Sequence, residues 1–340
     1  MKQKKIEMVQ VIRGMACIAI FLFHLPIEWG GVKANYSGFP LSIFFLLTGY
    51  FLLEGIRKTE HGYFQKKIFR IVPLYWIFTL LLFAVSLVFP GINHGRSYSL
   101  IDLAKSLLFI PYYNSDGMLF PILSVGWTLI IEVYDYIAFW IVYKILKRFK
   151  YREILTIVTI SGMIILGTVL KLCVNNDPIL DIWTSVYQLP FILGLVLSWL
   201  HLTLKGNNKC VTITWPSIII GLMVIFYILC YLIPDNYAWI WGCALVAASV
   251  FIFNEVRFPE WSIFLGNISY SVYLIHKFVI AVVEKIVAHL GVSSMTIFGG
   301  IVLAFVMTIL AASISYYFIE SPVSKLRVLS GCEGKKQESS

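Results

Sequence analysis

Apolar runs long enough to cross a bilayer recur along almost the whole chain, broken only by short polar connections. The hydrocarbon core of a membrane takes about 20 apolar residues as a helix, and only helices or closed barrels satisfy the backbone there. The runs lie near residues 9–28, 38–56, 71–90, 125–145, 153–174, 183–203, 211–233, 237–254, 268–288 and 295–319. They are too long and too continuous for strands. The expected fold is therefore all-α, a polytopic membrane protein with ten transmembrane helices. Only 13% of the residues are charged, against ~25% in soluble domains, which leaves no room for a large soluble core.

Lysine and arginine set the orientation. With the N-terminus inside, 21 of the 27 basic residues fall on the inner side, among them Lys66, Lys67, Arg70 and the group from Lys144 to Arg152. The positive-inside rule then puts both termini in the cytoplasm. The same placement explains the net charge of +9 without nucleic acid, because the cations sit in connections between apolar runs. Residues 1–322 read as one membrane domain and residues 323–340 as a disordered basic cytoplasmic tail. No cleavable signal peptide and no appended soluble domain are expected. The six cysteines have no metal-ligand spacing and most lie in apolar runs, so they read as small buried hydrophobes, with no metal site.

The first run carries the most informative polar residues. Arg13 and His24 are separated by ten residues, nearly all apolar. On a helix the eleven steps between them rise roughly 16 Å and make about three turns, so both project from one face. Ionisable side chains at membrane depth are costly and usually face a polar cavity. The plainer alternative is an arginine reaching the interface and a histidine bonded to a backbone carbonyl.

The topology places Glu132, on the fourth run, about two turns from the outer face, at a depth similar to His24. A carboxylate beside a histidine can orient it and stabilise its cation, which makes it a competent general base. Glu132 could equally pair with another buried cation or line a water cavity. At the inner face Arg13, Lys66, Lys67 and Arg70 could clamp an anionic ligand such as a phosphate, or simply contact lipid headgroups. On the ninth run Ser269, Tyr273 and His276 form one polar stripe, which would also suit helix packing. The longest external connection, Gly91 to Ser124, contains a candidate interfacial helix around residues 101–109 and is long enough to be functional.

Several stretches together resemble acyltransferase family 3, the bacterial integral-membrane O-acyltransferases. Arg13 and His24 match the R-x10-H signature of its first helix. Phe44 to Phe51 is similar to its FF-x-L-S-G-F/Y motif, with Thr48 where serine is usual. Lys66 to Trp76 resembles R-R-x-x-R-I-x-P-x-Y-W, with lysines at the two leading positions. Trp127 to Glu132 resembles W-S-L-x-x-E, Gly266 to His276 resembles G-x-x-S-Y-x-x-Y-L-x-H, and Ile319 to Pro322 resembles I-E-x-P. Each piece is weak alone; six in order are specific.

The resemblance implies transfer of an acyl group, usually acetyl from cytoplasmic acetyl-CoA, to a hydroxyl of a cell-surface glycan or its lipid-linked precursor. It implies His24 and Glu132 as catalytic residues and Arg13, Lys66, Lys67 and Arg70 as contacts to the coenzyme A thioester. Trp127, Ser269, Tyr270, Tyr273 and His276 are then substrate or supporting residues. No permanently bound cofactor is expected. The partners implied are the acyl donor, the carbohydrate acceptor and the bilayer of the cytoplasmic membrane, with a separate extracytoplasmic acyl-transfer partner as a further option. His24 could deprotonate the acceptor or take the acyl group itself. A small-solute transporter and a non-catalytic partner of glycan enzymes remain alternative readings, since polar residues near midplane also describe transporters.

Overall fold

The computed structural model describes residues 7–26, 29, 38–60, 62–88, 98–203, 211–212 and 256–322. In chain order the helices are α1 (Glu7–Phe23), α2 (Gly38–Lys58), α3 (Tyr63–Val88), α4 (Leu100–Leu107), α5 (Trp127–Ile145), α6 (Arg152–Lys171), α7 (Pro178–Trp183), α8 (Gln188–Thr203), α9 (Glu260–Leu290) and α10 (Ser294–Ser315). A π-helical turn, Tyr316–Glu320, continues α10. Val211–Thr212 pairs in parallel with Val256–Arg257, a two-residue bridge and the only strand pairing among the described residues. Most of the spans expected at 211–233 and 237–254, and the tail at 323–340, lie outside the described residues.

Among the described residues four helices are long and apolar enough to cross a membrane: Gly38–Lys58, Tyr63–Val88, Arg152–Lys171 and Ser294–Glu320. Two other long helices carry several charged residues each. Glu132, Asp135 and Lys144 interrupt α5, and Lys277, Glu284 and Lys285 interrupt α9. Most of α2 is buried, whereas α3, α6 and α10 expose most of their apolar side chains. An apolar surface of that kind is stable only in lipid.

The chain forms two compact units, Met1–Tyr50 with Leu193–Tyr316, and Phe51–Ile192 with Tyr317–Ser340. In the first unit α1 and α9 lie side by side in parallel. Their approach rests on two glycines: a methyl on Gly14 would sit 2.9 Å from the Leu265 side chain, and one on Gly266 would run into the Gln10 carbonyl. Small residues at such crossings let backbones close up and maximise packing where lipid supplies no hydrophobic drive. Glu7 anchors the start of α1, accepting from Arg257 at 2.7 Å and from the Phe258 backbone at 2.8 Å. Pro26 stops continuation beyond its end, leaving His24 in the last turn, its backbone N–H bonded to the Ile20 and Phe21 carbonyls.

In the second unit the long connection after α3 does not stay beyond the end of that helix. It folds back against the middle, where the Tyr75 hydroxyl donates to the Ser106 carbonyl at 3.1 Å and the Trp76 indole to Leu107 at 2.8 Å. The turn that makes this possible is unusual. Phe109 adopts the left-handed conformation (φ 57°) that closes α4, with Ile110 N–H on the Lys105 carbonyl at 2.9 Å. A bulky residue pays strain there; the Phe109 ring packs 4.7 Å from Tyr75 and is buried, which offsets it. Ser106 then receives the Ile122 N–H at 3.0 Å, and Gly126 lies against the Tyr75 ring. As a result α5 starts level with the middle of α3 rather than with its end.

The outer part of this connection is tethered as well. The Tyr113 hydroxyl donates to Asp181 of α7, and Lys171 pairs with the same carboxylate at 2.7 Å. The bond to Asp181 pushes the Tyr113 phenol up to about 12. At the opposite end, Arg57 pairs with Glu153, and Arg152 donates to Glu60 at 2.9 Å, holding the Glu60 carboxyl below its ordinary value. These pairs join the α2–α3 and α5–α6 connections by electrostatics and hydrogen bonds.

Candidate active site

The first unit gathers one line of polar side chains between α1 and α9. The Arg13 guanidinium donates to the Ser269 hydroxyl at 3.1 Å and lies 3.5 Å from the Gln10 amide oxygen. Ser269 is fully buried, donates to the Gly266 carbonyl at 2.8 Å, and its own carbonyl receives the Cys17 thiol at 3.2 Å. Further along, His24 meets His276: the rings are 4.8 Å apart and cross at 69°, and His276 Nε2 lies 3.3 Å from His24 Nδ1. His24 Nδ1 also lies 2.8 Å from the Ile20 carbonyl, and His276 Nδ1 3.2 Å from that of Val272. Tyr273 packs 5.9 Å from the His276 ring and 6.5 Å from Phe44 of α2. Tyr270, half-buried, follows Ser269 on the next position of the helix.

The sequence expectation of a shared face is met on both helices. Arg13 and His24, eleven residues apart on α1, each find a polar partner on α9, at Ser269 and His276. The carbonyl-bonded histidine of the plainer reading is also present, since His24 reaches Ile20. Cys17 is buried as expected, but Cys173 is exposed in the turn after α6; the other four cysteines lie outside the described residues.

The second unit holds the other set of expected residues. Glu132, half-buried on α5, accepts from the Tyr136 hydroxyl one turn on. The Lys67 ammonium sits 5.6 Å from the centre of the Tyr136 ring and 5.5 Å from that of Tyr63. Phe64 stacks on Trp140 at 5.2 Å, so α3 and α5 run antiparallel with the basic end of α3 beside the C-terminal half of α5. Because the connection folds inward, Glu132 comes nearer to this basic end than even spacing of the apolar runs implies. Arg70 pairs with Glu320 at 3.5 Å, and Lys66 is exposed to solvent. Trp127, at the start of α5, packs 5.4 Å from Tyr187. His24 and Glu132 belong to different units, as do Arg13 and the Lys67–Arg70 group.

Three residues of this unit were not singled out for a role from the sequence. Tyr136 bridges Lys67 and Glu132, and its signal is only its i+4 spacing from the carboxylate. Glu320 is buried beside Arg70; it stands in the closing I-E-x-P stretch, where a carboxylate ends the last apolar run. Asp135 is fully buried beside Gln188. Its spacing of three from Glu132 puts it on a neighbouring part of the same helix, which no pattern in the sequence explains. No group of three His, Cys, Asp or Glu side chains among the described residues is placed to hold a metal ion.

With this geometry established, comparison with known proteins decides the family. The model of the acyltransferase domain that defines acyltransferase family 3 matches residues 7–319. The chain belongs to that family. Its curated relatives include the O-acetyltransferase OatA of Staphylococcus aureus, 24% identical across 92% of this chain and 56% of the relative. Another is the exopolysaccharide production protein ExoZ of Rhizobium meliloti, 25% identical across 93% of this chain and 100% of the relative. The chain thus spans little more than half the length of the OatA proteins it matches, and the whole of ExoZ. No solved structure matches the chain significantly. The family match covers both polar clusters, the one between α1 and α9 and the one between α3 and α5.

Proposed function

We propose that this acyltransferase family 3 protein is an O-acetyltransferase of the bacterial cytoplasmic membrane that modifies a hydroxyl of a cell-surface glycan or its lipid-linked precursor. The observation that carries the reading is the pairing along α1 and α9: Arg13 with Ser269 and His24 with His276, in a chain matched by the family over residues 7–319. The names of its relatives support the same class, an O-acetyltransferase and an exopolysaccharide production protein. In this reading the chain has ten spans with both termini cytoplasmic, residues 1–322 form the acyltransferase domain, and acetyl-CoA is the donor. A reporter fused after Glu320 should then be active only in its cytoplasmic form; activity only outside the cell overturns the topology.

The chemistry follows from the residues present. Arg13, Lys66, Lys67 and Arg70 supply cationic donors for the coenzyme phosphates, where charge-assisted hydrogen bonds are strong. Lysine offers a point charge rather than a bidentate fork, so an arginine is the better geometric match to a phosphate. His24 removes the proton of the acceptor hydroxyl as its oxygen attacks the thioester carbonyl, or first accepts the acetyl group itself. In either route the carbon–sulfur bond breaks, the new ester forms, and the proton ends on the thiol of coenzyme A. Glu132, bonded by Tyr136 on its own helix, is the second catalytic group of this reading. Trp127, Tyr270 and Tyr273 offer aromatic surface of the kind that packs against sugar rings. A separate extracytoplasmic partner would complete transfer if the acceptor lies beyond reach of His24.

Deleting the gene tests the function directly. One ester signal in the NMR spectrum of the isolated surface glycan should disappear and return on complementation. An unchanged glycan ester pattern, with a changed uptake of a small solute instead, would favour the transporter reading.

A further inference from the structure

We infer that His276 is a positioning residue that holds His24 as the Nδ1–H tautomer and steadies the charge His24 acquires in the reaction. The inference rests on the proposed role of His24 as base or nucleophile, but its structural half stands without it. A backbone carbonyl can only accept a hydrogen bond. His24 Nδ1 lies 2.8 Å from the Ile20 carbonyl, so Nδ1 carries the proton. His276 Nδ1 lies 3.2 Å from the Val272 carbonyl, so that nitrogen carries the proton of the second ring. With both rings neutral, His276 Nε2 is left with a lone pair only, and it lies 3.3 Å from the proton-bearing nitrogen of His24. The His24 proton is therefore shared between two acceptors, the Ile20 carbonyl and His276 Nε2.

This arrangement has one chemical consequence at the other side of the ring. His24 Nε2 makes no hydrogen bond among the described residues, and the ring is half-buried rather than sealed. The lone pair needed by a base or nucleophile is thus on the open nitrogen, and a ring flip that would hide it breaks two contacts. When Nε2 takes a proton or an acyl group, positive charge spreads to Nδ1–H and both of its hydrogen bonds strengthen. The gain is larger in the transition state than in the resting state, which raises kcat rather than substrate affinity. His276 can do this because it is itself immobile: it is 1% exposed, bonded at Nδ1, and flanked by the Tyr273 ring at 5.9 Å.

Solid-state NMR of the full chain labelled with 15N-histidine, in lipid bilayers at neutral pH, tests the tautomer. The His24 signals, assigned by their loss in His24→Ala, should show a protonated Nδ1 and an unprotonated Nε2. A His24 ring protonated on Nε2 overturns the inference whether or not the protein proves to be an acetyltransferase. The positioning role is tested by His276→Leu and His276→Gln in acetyl-transfer assays. The leucine variant should lose about ten- to a hundredfold in kcat, the size of a lost hydrogen bond to a charged group, with donor KM within twofold. The glutamine oxygen reaches the position of the lost Nε2, so this variant should recover most of the rate. A leucine variant with wild-type kcat, or a well-folded glutamine variant as slow as the leucine one, removes His276 from this role. If the leucine variant fails to fold, the glutamine variant is compared with wild type: a folded glutamine variant more than about tenfold slower in kcat removes His276 from this role.

Discussion

His24→Ala is expected to abolish acetyl transfer while leaving the protein in the membrane at its normal level. A positioned base contributes on the order of 10²–10⁴-fold, and a nucleophile lost outright removes its route altogether. Little stability should go with it. The side chain is only half-buried at the last turn of α1, and the helix is held elsewhere by Glu7 with Arg257 and by the Gly14–Gly266 contact. The measurement is ester content of the surface glycan in a strain carrying the variant, alongside its abundance in the membrane fraction. Normal abundance with wild-type acetylation would mean that His24 does no chemistry. The histidine pair would then be a packing feature of a helix crossing.

The second large effect is a division of labour within the unit that holds α3 and α5. Arg70→Ala should mainly raise the donor KM, by about tenfold, because phosphate contacts are charge-assisted and largely formed in the ground state. Glu132→Gln should lower kcat by about ten- to a hundredfold at nearly constant KM, because a carboxylate that answers charge developing in the reaction acts mostly in the transition state. The structure sharpens the experiment. Glu132, Tyr136 and Lys67 form one chain of contacts, and Arg70 is engaged by Glu320. Tyr136→Phe keeps the ring under Lys67 and removes only the hydroxyl on Glu132, so it separates the carboxylate's orientation from the cation's seat. Donor titration of Arg70→Ala, Glu132→Gln and Tyr136→Phe in purified membranes reads the result. If Arg70→Ala leaves donor KM unchanged while Glu132→Gln raises it, the two residues have been assigned the wrong way round.

Much of the molecule was legible in the residues because a membrane narrows the choices. Without water to satisfy backbone groups, each long apolar run must become a helix, and an ionisable residue inside one stands out against its surroundings. The shared face of Arg13 and His24 follows from helical periodicity alone, and α9 meets both of them as the stripe of Ser269 and His276 suggests. The six motifs in order named the family, which residues 7–319 then matched. What periodicity does not contain is which side chains meet across helices. That His276 rather than a carboxylate of the same unit touches His24 depends on how closely α1 and α9 approach, and two glycines decide it. The position of Glu132 likewise depends on a connection that folds back onto Tyr75 through a left-handed Phe109, a turn that propensity argues against. Local chemistry along the chain wrote the helices and the candidate residues; long-range packing of backbone against backbone selected their partners.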